Sequence, residues 1–256
     1  MPSGLIKRYL SSDKELMYHF YKPKNVSPET RIFVTVHGVS LNSGEHAELF
    51  LSYAKKQNMI LIAPHFAADR FPDYNCLGKD GERADKKLLR ILDEVKKEFS
   101  ITEKKIFLFG YSAGGQFAHR FSLGYPQHIE KLALGAPGYY TLPDYDTAFP
   151  QGLDNFPGNK KINMKSFYRI PLCLVVGSKD TQRGSSLPVS PGIDERQGKN
   201  RYARAVNWIT AIMEGSLQNG FHTEYLFKSL PGCAHGFRDC MVKGKMGDWV
   251  FNFFSN

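Results

Sequence analysis

The stretch Phe107-Leu-Phe-Gly110-Tyr-Ser112-Ala-Gly114-Gly115-Gln-Phe-Ala118 decides the fold of this chain. An apolar run typical of a buried β-strand ends at Gly110, and the pattern Gly-x-Ser-x-Gly follows it. Small residues then begin a segment that can form a helix. In this strand–turn–helix context, the pattern presents a nucleophilic serine on a sharp turn. The same pattern also occurs in ordinary β-to-α turns, so the rest of the chain has to distinguish the two interpretations.

Apolar runs without polar alternation recur along the chain. Such runs are typical of strands that are buried on both faces of a parallel sheet. They are residues 32–37, 59–64, 105–109, 131–135 and 171–177, with a last strand at 223–230 and an edge strand at 16–22. Helices are predicted at 45–57, 82–99 and 201–218, and a closing helix contains Trp249, Val250 and Phe253. This alternation predicts one α/β domain over residues 1–256, with a doubly wound, mostly parallel sheet and helices on both faces.

Two long segments, 65–80 and 136–169, lack the periodicity of a regular element. The second is rich in aromatic residues, proline and glycine, and a loop of such length inside a compact domain is often functional. We therefore expect a cap-like insertion at 136–169, although a solvent-exposed excursion anchored by aromatic residues fits the pattern equally well. In the first segment, His65 and Asp69 are candidates either for lining a pocket or for solvated positions.

Polar side chains follow the predicted strands at the points where the strands end. In an open parallel sheet, the ligand site lies beyond the carboxyl ends of the strands. Ser112, Asp180 and His235 each follow a different strand, and His37-Gly38 follows another. The chain order Ser, Asp, His resembles that of the catalytic residues of α/β-hydrolases. The three residues are therefore predicted to form a catalytic triad.

Each of these residue types has a defined task in acyl transfer. A serine hydroxyl is a weak nucleophile near neutral pH, so the imidazole of His235 must accept its proton and later donate it to the leaving group. The carboxylate of Asp180 holds the imidazole in the required tautomer. The tetrahedral intermediate carries an oxyanion that needs preorganised donors, and we expect these to be the backbone N–H groups of Val39 and Ala113.

Other carboxylates and imidazoles compete for these roles. Asp194 and Asp239 are alternative acids, but Asp180 directly follows a buried strand. His235 has three competitors that lie in helical or pre-strand segments, away from the strand ends: His119, His128 and His222. His37 is expected to be structural and to orient its loop by hydrogen bonding.

The chain resembles the α/β-hydrolase superfamily over nearly its whole length. The matching pieces are His37-Gly38, Gly110-Tyr-Ser112-Ala-Gly114-Gly115, Gly177-Ser-Lys-Asp180 and Ala234-His235-Gly236-Phe237. More narrowly, the chain is similar to small esterases related to the polyhydroxybutyrate-depolymerase and feruloyl-esterase groups, through the stretch Gln197-Gly-Lys-Asn-Arg-Tyr-Ala-Arg204. The dienelactone-hydrolase branch would carry a cysteine at the position of Ser112.

Composition narrows the possible partners. Lysine and arginine exceed aspartate and glutamate by 34 − 25 = 9 residues, a charge that in general favours anionic partners. The lysines are scattered along predicted helix faces without a basic tail or an RNA-binding aromatic signature, so no nucleic-acid partner is expected. No apolar stretch approaches the ~18–20 residues of a membrane span, so no stable membrane insertion is expected. The first residues lack an apolar core of signal-peptide length, which favours a cytoplasmic location.

Cysteine spacing gives no indication of a metal or redox site. Four cysteines, Cys76, Cys173, Cys233 and Cys240, show no Cys-x-x-Cys pattern. Because no signal peptide is present, we expect free thiols, although Cys233 and Cys240 could meet in space.

The sequence thus predicts a serine hydrolase that cleaves carboxylic esters through an acyl-serine intermediate. The expected substrate is a small-molecule acyl ester, and neither a metal nor an organic cofactor is expected. Two alternatives stay open: hydrolysis of thioesters or peptides by the same triad, and a hydrolase-like binding protein without catalytic activity.

Overall fold

An eight-stranded sheet forms the centre of the protein in the computed structural model, which describes residues 4–78 and 82–256. The strands are β1 (Ile6–Leu10), β2 (Asp13–Tyr21), β3 (Ile32–Val36), β4 (Ile60–Pro64), β5 (Ile106–Tyr111), β6 (Ile129–Gly135), β7 (Leu172–Gly177) and β8 (Tyr225–Leu230). Their order across the sheet is β1-β2-β4-β3-β5-β6-β7-β8. The β1–β2 and β2–β4 pairs are antiparallel and all other pairs are parallel. The predicted fold class is therefore confirmed.

From β3 onward, at least one α-helix lies between each strand and the next, and two helices follow β8. The helices are α1 (Ser43–Lys56), α2 (Ala84–Glu98), α3 (Ala113–Gly124), α4 (Met164–Phe167), α5 (Pro191–Gln197), α6 (Arg201–Gln218), α7 (Phe237–Val242) and α8 (Met246–Ser255). Single turns of 3₁₀-helix lie at Tyr74–Cys76 and Pro126–His128. Within the described ranges, no helix combines the length and the apolar character needed to cross a bilayer.

The helices cover both faces of the sheet. On one face α1 and α8 pack together, where the ring of Phe33 lies 5.1 Å from that of Phe50 and 4.9 Å from that of Phe251. On the other face α3 packs on β5 and β6, and Trp208 of α6 contacts the ring of His119 of α3 at 5.6 Å. Every residue of β3, β4, β5 and β7 is buried. The absence of polar alternation in these strands follows from this two-sided burial.

The N-terminal edge of the sheet differs from the sequence prediction. Residues 16–22 were expected to form an edge strand, but β2 lies between β1 and β4, and β1 is the edge strand. Most residues of β1 are exposed, so its sequence has no apolar run that would indicate a strand. Its conformation depends on antiparallel pairing with β2, and such pairing is not visible in the local sequence.

Three short helices also lie in segments without a predicted helix: α4 within 136–169, α5 before α6, and α7 directly after His235. α5 begins after Ser190, whose hydroxyl accepts a hydrogen bond from the N–H of Ile193 at 3.3 Å. Helices this short depend on caps and tertiary packing, and they show no apolar periodicity. Of the predicted irregular segment 65–80, residues 79 and 80 lie outside the described residues.

The segment 136–169 is fastened to the helices of one face. Arg120 of α3 donates hydrogen bonds to Thr141 Oγ1 at 3.0 Å and to the carbonyl oxygen of Pro150 at 3.4 Å. Trp208 of α6 donates from Nε1 to the carbonyl oxygen of Thr141 at 2.9 Å. This segment is therefore held as a wall beside α3.

The turn between β5 and α3 brings backbone segments very close together. A Cβ atom on Gly114 would lie 2.1 Å from the carbonyl oxygen of Val36 and 2.4 Å from that of His37. A Cβ atom on Gly110 would lie 2.1 Å from the carbonyl oxygen of Gly114. Only glycine allows α3 to begin against the end of β3 in this way.

Substitution of Gly114 tests this close approach. We expect Gly114→Ala to lower the free energy of unfolding by about 2–3 kcal/mol, because the added methyl group forces backbone atoms apart. Urea unfolding of the purified protein measures the change. Gly184→Ala is the matched control, since a Cβ atom there has no neighbour within 4 Å. Equal stability of the two variants would contradict the packing described for the turn.

Candidate active site

Ser112 lies at the tip of the turn between β5 and α3, in a conformation that is rare for a residue with a side chain. Its backbone angles are φ 54° and ψ −115°. Such strain persists only where the surroundings impose it. Here the N–H of Ser112 donates to the carbonyl oxygen of Gly135 at 2.7 Å, and its carbonyl oxygen accepts from the N–H of Gln116 at 3.0 Å. The end of β6 and the first turn of α3 thus hold the strained residue.

The structure brings Ser112, His235 and Asp180 into one hydrogen-bonded chain. His235 Nε2 lies 3.0 Å from Ser112 Oγ, and His235 Nδ1 lies 2.7 Å from Asp180 Oδ2. An ionised carboxylate only accepts hydrogen bonds, so Nδ1 carries the proton and Nε2 presents its lone pair to the serine hydroxyl. Asp180 follows β7 and His235 follows β8, at the strand ends where the sequence analysis expects them.

Arg201 is a neighbour of the site that the sequence analysis did not identify. Its Nη1 lies 3.7 Å from Asp180 Oδ1, and both side chains are almost fully buried. Burial lowers the pKa of Arg201, and the Asp180 carboxylate acts in the opposite direction. The N–H of Tyr202 donates to the carbonyl oxygen of Asp180 at 3.2 Å. The start of α6 therefore holds the loop of Asp180, through contacts between segments that are distant in the sequence.

Tyr111, the residue before the serine, supports the imidazole. Its ring stacks on that of His235 with a centroid distance of 5.5 Å and an interplanar angle of 27°. The phenol oxygen lies 3.4 Å from Cys240 Sγ. Burial raises the pKa of Tyr111 well above its ordinary value, so the phenol stays neutral. Cys240 and Cys233 are both free thiols in the structure.

The two predicted oxyanion donors belong to segments next to the serine. Ala113 is the first residue of α3, where backbone N–H groups have no partner within the helix. Val39 belongs to the loop after β3, and this loop runs beside the serine: a Cβ atom on Gly38 would lie 3.3 Å from Ser112 Cβ. Among residues 4–78 and 82–256, no protein acceptor binds the N–H of Val39 or Ala113.

His37 orders the loop that carries Val39. The N–H of Phe66 donates to His37 Nε2 at 3.0 Å, so the ring proton sits on Nδ1 and is donated to the carbonyl oxygen of Gly38 at 2.8 Å. The hydroxyl of Tyr74 donates to the carbonyl oxygen of His37 at 2.8 Å. Burial lowers the pKa of His37 to about 4. The imidazole is therefore neutral at pH 7 and holds its loop by hydrogen bonds, the arrangement expected from the sequence.

The competing residues lie apart from Ser112. Asp194 binds Arg183 and Arg204, and Asp239 pairs with Lys243 at 3.0 Å. His119 is fully buried within α3, where its ring nitrogens bond the carbonyl oxygen of Gly115 and the N–H of Thr141. His128 lies in the 3₁₀ turn before β6, and His222 is exposed before β8. None of these side chains contacts the serine within the described structure.

The two candidate pocket residues of segment 65–80 have local partners. His65 Nδ1 lies 3.1 Å from Ser43 Oγ at the start of α1, and a carboxylate oxygen of Asp69 accepts the N–H of Arg70 at 3.0 Å. The residues that the structure describes contain no group of three or more His, Cys, Asp or Glu side chains arranged to hold a metal ion.

Comparisons with known proteins identify the fold. No protein-family model matches the chain. A bifunctional acetylxylan esterase/xylanase, XynS20E of Neocallimastix patriciarum, is 25% identical over 124 residues, which are 46% of this chain and 17% of that protein. Poly(aspartic acid) hydrolase-1 of Sphingomonas sp. KT-1 superposes with a TM-score of 0.84 at 22% identity over the whole of both chains. LpqC, a poly(3-hydroxybutyrate) depolymerase of Bordetella parapertussis, superposes with a TM-score of 0.78 at 24% identity, covering 97% of this chain and 90% of that one.

The chain therefore has the α/β-hydrolase fold. This fold confirms the resemblance to α/β-hydrolases that was inferred from the sequence motifs. The similarity to XynS20E covers a small part of that longer protein, so its activities are not transferred by the match.

The neutral state of His37 predicts an acid-sensitive fold. Its folded pKa of about 4 lies below the ordinary 6.5, so the unfolded chain takes up the proton first as the pH falls. The contribution of neutral His37 to the free energy of unfolding is complete above pH 6.5 and is lost as the pH falls towards 4. Between pH 7 and pH 5 this contribution falls by about 2 kcal/mol. Urea unfolding at both pH values measures it.

The difference between the two pH values should shrink by about that amount in His37→Asn. His222→Asn is the control, because this exposed side chain has no such environment. A pH dependence that His37→Asn leaves unchanged would contradict the assignment.

Proposed function

We propose that this protein is a serine hydrolase that cleaves carboxylic esters through an acyl-serine intermediate. One observation carries the proposal: Ser112 Oγ, the His235 ring and the Asp180 carboxylate form a continuous chain with separations of 3.0 and 2.7 Å. In this proposal Ser112 is the nucleophile, His235 the general base and acid, and Asp180 the orienting carboxylate.

The tautomer of His235 supports the first step. Nδ1–H is held by Asp180, so Nε2 accepts the serine proton as Oγ attacks the ester carbonyl carbon. The resulting imidazolium lies next to the Asp180 carboxylate, which stabilises its charge. The imidazolium then donates the proton to the alkoxide of the leaving group as the carbon–oxygen bond breaks. Water repeats the sequence on the acyl-serine and releases the acid.

The proposed oxyanion hole consists of the N–H groups of Val39 and Ala113. Each such donor contributes roughly 3–4 kcal/mol in mutational tests on other serine hydrolases. Both donors are preorganised, because Ala113 begins α3 and Val39 belongs to the loop that His37 holds. Little reorganisation is then needed as the negative charge develops.

Amide cleavage by the same residues is the second candidate. One similar structure is named a poly(aspartic acid) hydrolase, and the chain of a poly(amino acid) is linked by amide bonds. Relative turnover of matched p-nitrophenyl esters and p-nitroanilides separates the two candidates. We favour esters, since the names of LpqC and XynS20E also refer to ester substrates or esterase activity.

The proposal also concerns the domain, its location and its partners. We propose that residues 1–256 act as one catalytic domain in which the cap-like insertion at 136–169 borders the substrate. A cytoplasmic location, a small-molecule substrate and the absence of a nucleic-acid partner stay predictions.

Replacement of Ser112 tests the nucleophile. A fluorophosphonate probe should label the wild type covalently and should not label Ser112→Ala, because the probe forms its bond with an activated serine oxygen. Gel fluorescence and mass spectrometry of the labelled peptide provide the measurement. Ser122→Ala is a matched control, since the hydroxyl of Ser122 donates to the Ala118 carbonyl oxygen within α3. Labelling that survives in Ser112→Ala would refute the role of Ser112.

Replacement of Asp180 tests the acid and its contact with Arg201. Asp180→Asn should lower kcat by about 10³–10⁴, because the imidazole loses its required tautomer. It should also lower the free energy of unfolding by about 2–4 kcal/mol, because the buried Arg201 loses its carboxylate. The double variant Asp180→Asn/Arg201→Met should regain stability without regaining activity. Near-normal turnover in Asp180→Asn would move the acid role to another residue.

A further inference from the structure

Gln116 lies one helical turn beyond the proposed nucleophile. It is the fourth residue of α3, and its N–H donates to the carbonyl oxygen of Ser112 at 3.0 Å. Ser112 directly precedes the first residue of α3, so this hydrogen bond places Gln116 one turn into the helix that begins at the serine. Gln116 itself is only 5% exposed.

The orientation of the Gln116 carboxamide is fixed by its neighbours. Its Oε1 accepts hydrogen bonds from Arg120 Nη1 at 3.2 Å and from Asn75 Nδ2 at 3.1 Å. A guanidinium has no acceptor, so the atom that faces Arg120 must be the oxygen. Arg120 is fully buried and also binds Thr141 Oγ1 and the carbonyl oxygen of Asn75. The amide cannot flip without leaving this cation beside an NH₂ group.

The opposite end of the carboxamide carries two N–H donors. Within the described residues, Gln116 Nε2 donates to no protein acceptor, and it is not one of the enclosed polar atoms that lack a partner. It must therefore reach solvent. Its neighbours are Gly138 and Pro188: a Cβ atom on Gly138 would lie 3.0 Å from Nε2 and 3.2 Å from Pro188 Cδ. Nε2 therefore lies near two segments: segment 136–169, which contains Gly138, and the loop after β7, which contains Pro188.

The neighbours of Gln116 indicate whether its donor would contact the leaving group or the acyl group of the proposed substrate. The leaving group has to lie beside His235 Nε2, from which it receives its proton. Gln116 is joined instead to Asn75, which follows Tyr74, and Tyr74 binds His37 beside the proposed oxyanion loop. The acyl group, which stays bonded to the serine, is the part of the substrate that can lie over this turn of α3.

We propose that Gln116 Nε2 donates a hydrogen bond to an acceptor oxygen on the acyl group, so that the enzyme prefers esters whose acyl chain carries an ether, hydroxyl or carbonyl oxygen. The inference rests on the proposed function of Ser112. One helical turn is about 5.4 Å along the helix axis, so the acceptor chosen for the test is an oxygen three bonds beyond the scissile carbonyl carbon. A purely hydrocarbon acyl chain would displace water from Nε2 and leave the donor unpaired, which weakens its binding.

Two p-nitrophenyl esters of equal length test the preference: the 3-methoxypropanoate and the pentanoate, which differ by an oxygen in place of one methylene group. Values of kcat/KM are divided by the rate of hydroxide-catalysed hydrolysis of each ester, which removes their difference in intrinsic reactivity. The wild type should then favour the methoxy ester by about tenfold. If the wild type shows a corrected kcat/KM ratio near one, or one that favours the pentanoate, this result alone would overturn the proposal.

Gln116→Glu isolates the donor. A carboxylate of the same shape still accepts hydrogen bonds from Arg120 and Asn75 but has no N–H, so the preference should fall by about fivefold or more. Gln218→Glu is the control, with the same change of charge at an exposed position at the end of α6. Gln116→Met, which lacks both donor and acceptor, should reverse the preference towards the pentanoate. If Gln116→Glu prefers the methoxy ester as strongly as the wild type does, the proposal is overturned.

Failure of the proposed function gives a different result from failure of this inference. If neither ester is turned over and the fluorophosphonate does not label Ser112, the hydrolase assignment falls and the inference with it. If Ser112 is labelled and both esters are hydrolysed at equal corrected rates, only the role of Gln116 is refuted.

Discussion

The strained backbone of Ser112 is the constraint on which the rest of the site depends. Its positive φ of 54° is imposed by the hydrogen bond to Gly135 in β6 and by the close packing of Gly110 and Gly114. The same turn sets the position of Ala113 and brings the loop after β3 next to the serine. One local conformation therefore determines where the proposed nucleophile, the start of α3 and the loop of Val39 lie relative to one another.

The proposed acid and base, Asp180 and His235, lie in loops, yet each loop is fixed to a regular element. Asp180 is held by Tyr202 and Arg201 at the start of α6, and His235 stacks on Tyr111 at the end of β5. Catalytic groups on loops reach the required precision only when neighbouring side chains lock their conformation. The start of α6 supplies that support to Asp180, and the end of β5 supplies it to His235.

Much of the fold and the positions of the central residues of the candidate site could be predicted because their signals are local. Buried strands such as β3 and β7 are continuous apolar runs, and Ser112, Asp180 and His235 each follow such a strand within a few residues. The remainder depends on contacts between distant segments. The edge strand β1 exists through its pairing with β2, and α5 and α7 are too short to show a period.

The support of the site escaped prediction for the same reason. Arg201 and Gln116 lie in helices whose patterns are correctly predicted, but nothing in those patterns shows what their side chains touch. Arg201 approaches Asp180 from the start of α6, and Gln116 reaches Asn75, which lies 41 positions earlier in the chain. In a helix, periodicity identifies the buried face, whereas the identity of the buried partner depends on the tertiary arrangement.

Arg120 joins segment 136–169 to α3, the helix that follows the proposed nucleophile. This cation is fully buried, and within the described structure no carboxylate pairs with it. Burial of a charge costs free energy unless hydrogen bonds replace its hydration. Arg120 obtains these bonds from Gln116 in α3, from Asn75, and from Thr141 and Pro150 in the insertion. Moving segment 136–169 away from α3 would leave the guanidinium without two of these acceptors, so these contacts oppose a displacement of the segment.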